Sequence, residues 1–219
     1  MTHYEITQLK QAFFDTLYLL ILAGIFITVI GLMLGFILYF TSEQEDKEKQ
    51  KIMRITHYIV GTFIDILRSI PFIILMLILI PLTVIIMGTM LGPKAALLSL
   101  IISAAPFYAR VSYNALLDVD KGNVEALNAM GASKFIKIKI LFREALSGLI
   151  KGLTVTLVSL VGFIAAAGAV GAGGLGDLAR RRALALDYKI MYISVILLLI
   201  IVVIIQIIGD IIAKKIDRR

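Results

Sequence analysis

Four stretches of this chain carry no charged side chain: residues 16–42, 69–93, 152–176 and 190–209, which are 27, 25, 25 and 20 residues long. Residues 95–109 add a fifth run of 15. A helix needs about 20 apolar residues to cross the hydrocarbon core of a bilayer. The chain has 219 residues, 60% of them hydrophobic and 17% charged, against roughly 45–50% and about 25% in soluble globular chains. Its mean hydropathy is +0.98. These figures specify an all-α fold, a polytopic membrane helix bundle of about five transmembrane helices in a single domain, 1–219. A soluble enzyme, a secreted disulfide scaffold and a disordered tail are excluded.

There is no cysteine, which removes disulfides, thiolate metal sites and cysteine nucleophiles together. A net charge of +7 would suggest nucleic acid in a soluble chain. Here it is read first as membrane orientation, with no nucleic-acid partner and the lipid bilayer as surroundings. Glu5 and Asp15 sit where a signal peptide carries positive charge, and the apolar run after them is too long for an h-region. That run is expected to be retained as the first span.

The spans are placed at about 12–40, 57–80, 94–113, 146–167 and 188–212. In the first, Gly31 and Gly35 form a small-xxx-small pair suited to close helix packing. In the second, Asp65 and Arg68 fall at i,i+3 on one helix face and can pair. Charges within a span are costly and turn towards a bundle interior or a water-filled path. Asp65, Arg68, Pro71 and Phe107 are therefore candidates for a permeation path, with Pro71 and Pro81 kinking or ending the second span.

Lys and Arg number four in 41–57, six in 110–143 (Arg110 included) and four in 214–219, against six in the segments on the opposite side. The asymmetry predicts an external N-terminus and a cytoplasmic C-terminus. Arg180, Arg181 and Arg182 run against the trend without reversing it.

Between the third and fourth spans, 114–143 forms a cytoplasmic segment too patterned for a mere connector. Gly122 and Asn123 can cap a short helix over Val124–Met130, Gly131 stands where a C-cap needs positive φ, and Ser133 can cap the next helix from Lys134. Small Ala126, Ala129 and Ala132 would let the first helix lie close against another protein.

Glu125-Ala126, Gly131 and Ile140-Leu141 at this spacing resemble the EAA motif of ABC importer permeases. Arg68-Ser69-Ile70-Pro71-Phe72, Ala104-Ala105-Pro106-Phe107, Gly131-Ala132-Ser133 and Val170 through Gly176 look most like the methionine-type permease, from about residue 12 onwards. The resemblance implies a bacterial inner-membrane subunit of the type I importer fold that forms a homodimer and a path for D- or L-methionine. It also implies two cytoplasmic ATP-binding subunits and one external substrate-binding protein. Glu125, Ala126, Ala129, Gly131 and Ser133 would then couple the permease to the ATPase. Leu127 replaces an alanine of the motif, and Phe142-Arg143 and Leu146-Ser147 replace two leucine–proline steps, which leaves a straighter entry into the fourth span.

Gly171 to Gly176 formally matches GxGxxG, but it follows an apolar span, not a strand, and lacks the acidic residue about twenty positions on. It is read as a turn at the outer mouth. The sequence has no GxxxxGK[ST], so ATP hydrolysis would belong to a partner. His3 and His57 lack ligand-spaced neighbours, and no catalytic residue, metal site or cofactor is expected. Within transport, the rival is a permease for another small solute such as a polar amino acid. Outside it, the rivals are a membrane-embedded enzyme, for which only Asp65 and Arg68 qualify, and a membrane scaffold.

Overall fold

The computed structural model describes residues 1–42, 47–120, 122, 127 and 129–217. Among them lie eight helices: α1 His3–Ser42, α2 Lys47–Ser69, α3 Phe72–Ile78, α4 Ile80–Met87, α5 Pro93–Leu117, α6 Lys134–Gly168, α7 Gly174–Leu184 and α8 Tyr188–Ile216. Four are long and apolar enough to cross a membrane: α1, α5, α6 from Phe135, and α8. A fifth crossing arises if α2 from Lys51 and α3 are taken as one broken span bent by 105°.

Helix α1 packs along α5, and small residues set how close they come. A Cβ on Gly31 would sit 2.7 Å from Tyr108 Cδ1 and 3.1 Å from the Ala105 carbonyl. One on Gly35 would sit 2.8 Å from Ser112 Cβ. The small pair seen in the sequence thus lets two backbones meet. Leu19, Ala23 and Ile27 of α1 join Leu100, Ala104 and Tyr108 of α5 and Leu160 and Ile164 of α6 in the main buried core. Tyr108 donates its hydroxyl proton to the Leu149 carbonyl of α6 at 3.2 Å. Helix α6 then packs on α8, and α7 lies against α1, α6 and α8.

The second span departs from the single helix read at 57–80. Helix α2 ends at Ser69, and Pro71 takes the N-cap position of α3 with φ −54° and ψ 134°. A prolyl ring disfavours helical geometry in the residue before it and offers no N–H, so the helix stops and the chain turns. Helix α3 is held in its new direction by Phe72, stacked on Phe163 of α6 at 4.8 Å between ring centres. Pro81 opens α4 rather than ending a helix, and Gly88 closes that helix in the left-handed region.

Two further differences concern helix lengths. Helix α5 runs on to Leu117, so residues 114–117 extend it rather than begin a loop. Helix α6 is continuous for 35 residues from Lys134, with no proline between its start and its apolar body.

Candidate functional site

Two places bring chemistry-bearing residues together: a charged trio between α2 and α5, and the glycine-broken tip before α6.

In the trio, Arg68 Nη1 lies 3.6 Å from Asp65 Oδ1 within α2, so the i,i+3 pair read from sequence is formed. The other carboxylate oxygen of Asp65 faces α5, where Arg110 Nη2 lies 3.9 Å from Oδ2. Aromatic rings flank both guanidinium groups. Arg68 lies over Phe107 at 5.6 Å and Arg110 over Tyr113 at 5.6 Å, within cation–π range. About two turns back towards the start of α2, His57 Nδ1 sits 3.1 Å from the Leu38 carbonyl and 3.2 Å from Thr41 Oγ1, tying α2 to the end of α1. Phe107 thus joins Arg68, in keeping with their grouping on sequence, whereas Pro71 is an exposed backbone hinge beyond them.

Sequence counting takes Arg110 as the first cation of the 110–143 segment, although the third span, 94–113, also includes it. Arg110 lies within α5, with seven more residues of that helix up to Leu117. The signal that could have found it is the spacing of Phe107, Arg110 and Tyr113, at i, i+3 and i+6 on one helix face.

At the tip, Gly131 adopts φ +66°, the left-handed conformation expected of a C-cap. The Ala132 N–H donates to the Leu127 carbonyl at 3.0 Å, as in a Schellman turn. Ser133 caps α6, its Oγ accepting from the Ile136 N–H at 3.5 Å. Leu127 is buried while Ala129, Gly131 and Ser133 are exposed. Met130 and Phe135 are 73% and 76% exposed. These two large apolar side chains frame the turn, and sequence patterning does not single them out. Glu125, Ala126 and the capping role of Asn123 lie outside the described residues.

A family model described as "binding-protein-dependent transport system inner membrane component" matches residues 50–219. This chain belongs to that family. It is 42% identical over 211 residues to a probable D-methionine transport system permease protein, MetI, of Haemophilus influenzae, covering 95% of this chain and 97% of the relative. It is 42% identical over 217 residues to the methionine import system permease protein MetP of Bacillus subtilis, covering 98% and 96%. A solved structure of the MetNI methionine ABC transporter in inward-facing conformations matches with TM-score 0.92 at 40% identity, over the whole of both chains. An amino acid ABC transporter shares the fold at TM-score 0.72 and 16% identity.

For this multi-pass inner-membrane component, the GxGxxG match has a structural meaning unrelated to nucleotides. Gly171 and Gly173 turn the chain from α6 into α7, and the Gly171 carbonyl accepts from the Gly92 N–H at 2.9 Å. The amide of Leu175, at the start of α7, donates to the buried Thr16 Oγ1 at 2.9 Å. A side chain of α1 therefore holds an N–H that a phosphate would need. The expected turn is present at 169–173 and leads straight into a packed helix, with Leu175 and Leu178 fully buried.

The arginine triplet is also accounted for. Arg180 and Arg181 pair with Asp177 at 3.4 and 3.0 Å, and Arg182 pairs with Asp187 at 3.0 Å while donating to Gln8. Each of the three cations thus has a carboxylate beside it.

Proposed function

We propose that this chain is the membrane subunit of an ATP-driven methionine importer and acts as a homodimer. Its partners would be two cytoplasmic ATP-binding subunits and an external substrate-binding protein. The observation that carries this reading is full-length likeness, at about two-fifths identity, to permeases named for methionine transport. The charged trio supports it, because ionisable groups inside a span mark a polar route. Asp65, Arg68, Pro71 and Phe107 belong to that route.

The N-terminus is external and the C-terminus cytoplasmic, in keeping with the Lys and Arg distribution. The tip then faces the ATPase. Glu125, Ala126, Ala129, Gly131 and Ser133 form the coupling element, and exposed Met130 and Phe135 add apolar contact. Since α6 is unbroken from Lys134 to Gly168, displacement of the tip by ATP-driven closure passes directly into a spanning helix. ATP shifts the transporter between inward- and outward-open states only by favouring one of them.

The test is ATP-dependent methionine uptake into vesicles, with co-purification of the ATPase. Both Glu125→Lys and Gly131→Val should insert and dimerise yet lose most uptake and much of the ATPase. Normal uptake by both would make the segment a simple connector. Orientation is checked separately: Lys137→Cys in intact cells should resist an impermeant thiol reagent, and its labelling would reverse the topology.

A further inference from the structure

Resting on the reading of this chain as an amino-acid importer subunit, we infer that Asp65, Arg68 and Arg110 form a way-station for a zwitterionic amino acid towards one end of the spans. The two guanidinium groups take the substrate's carboxylate and Asp65 takes its ammonium.

The first argument is depth. Arg110 lies sixteen residues along α5 from Lys94, about 24 Å at the helical rise. Ile64, next to Asp65, packs on Leu38 of α1 and Ala109 of α5. In a hydrocarbon core about 30 Å thick this puts the trio towards the end of the spans opposite Lys94, where charge still turns to a cavity or bundle interior.

The second argument is incomplete pairing. Two cations share one carboxylate, leaving a net charge of +1. The 3.6 and 3.9 Å separations exceed the roughly 2.7–2.9 Å of a charge-assisted hydrogen bond. No protein group among the described residues accepts a hydrogen bond from either guanidinium. A mutually satisfied structural pair would close these distances.

The third argument is access. In the single protomer the Asp65, Arg68 and Arg110 side chains are 50%, 33% and 34% exposed, so the protomer does not seal their charged ends. An amino acid brings one negative and one positive charge, so the site's net charge stays unchanged. Each guanidinium and the aspartate then gain an opposite partner. Guanidinium groups suit this task because their planar donor fork matches a carboxylate. The rings of Phe107 and Tyr113 border the same space and offer aromatic faces to a thioether side chain.

The experiment uses the permease–ATPase complex in lipid nanodiscs, without the external binding protein, and measures binding of radiolabelled L-methionine. Saturable binding is expected, displaced by unlabelled methionine but not by methioninol (no carboxylate) or 4-(methylthio)butyrate (no ammonium). Arg110→Gln and Asp65→Asn should each weaken it about tenfold or more, and Arg110→Lys should restore part of it. The triple variant Asp65→Asn, Arg68→Gln, Arg110→Gln removes all three charges together. It should assemble as well as wild type and still fail to bind. Binding retained by that triple variant would make the trio a structural cluster and overturn the site. Displacement by methioninol as strong as by methionine would also overturn it. So would absence of saturable binding by a wild-type complex that imports methionine, although the importer reading would survive. A wild-type complex that imports no amino acid would instead sink that reading itself.

Discussion

The chain breaks its helices with glycine at two places that look alike in sequence and differ in their surroundings. At 168–176, glycines allow close packing. A Cβ on Gly176 would run into the Ala165 backbone, and one on Gly168 into the backbone of Gly176 and Asp177. At 131, a Cβ would meet nothing within 4 Å among the described residues, and the glycine there takes a positive φ. The first break binds α7 into the bundle, and the second leaves an exposed turn. Glycine content alone does not distinguish a packing hinge from an exposed turn; the neighbouring backbone does.

That contrast is most sharply tested by Gly176→Val. Backbone cannot yield as a flexible side chain does, so overpacking should cost about 1–3 kcal/mol or more, with a melting midpoint lower by roughly 5 °C or no folded protein. Fluorescence-detected size exclusion of the detergent-solubilised protein across a temperature series would measure it. Wild-type melting would show that the α6–α7 contact is loose, and the two breaks would no longer differ.

An intermediate effect is expected from Thr16→Val, which keeps shape while removing the acceptor for Leu175. A buried, unsatisfied N–H costs about 1–3 kcal/mol, so the variant should melt a few degrees lower. Hydrogen exchange should quicken at the start of α7 but not at the tip. Equal exchange at both places would blur the distinction between them.

The smallest stability effect belongs to Gly131→Val. A β-branched residue resists the left-handed region at a cost of about 1–2 kcal/mol, but strain at an exposed turn can be relieved locally. The melting midpoint should stay within about 2 °C of wild type while uptake falls. A drop matching that of Gly176→Val would mean that the tip is part of the bundle's core.

What can be read from the chain directly is local. Uncharged runs locate the spanning helices, Gly131 and Ser133 announce a C-cap and an N-cap, and i,i+3 spacing pairs Asp65 with Arg68. Each of these depends on residues within a few positions of one another, where helical geometry is fixed by the covalent chain. The motif residues at the tip are legible for the same reason.

Tertiary structure decided the rest, because it set which helix faces meet. Arg110 reads as the first charge after an apolar run, and only the packing of α5 on α2 makes it a second partner of Asp65. Pro71 announces a break but not its 105° direction, which follows from the packing of α3 against α5 and α6. The glycines at 168–176 read as a loose outer turn until Thr16, more than 150 residues earlier, supplies the acceptor for the first turn of α7. Sequence encodes the period of each helix, but long-range partners arise only when the helices pack.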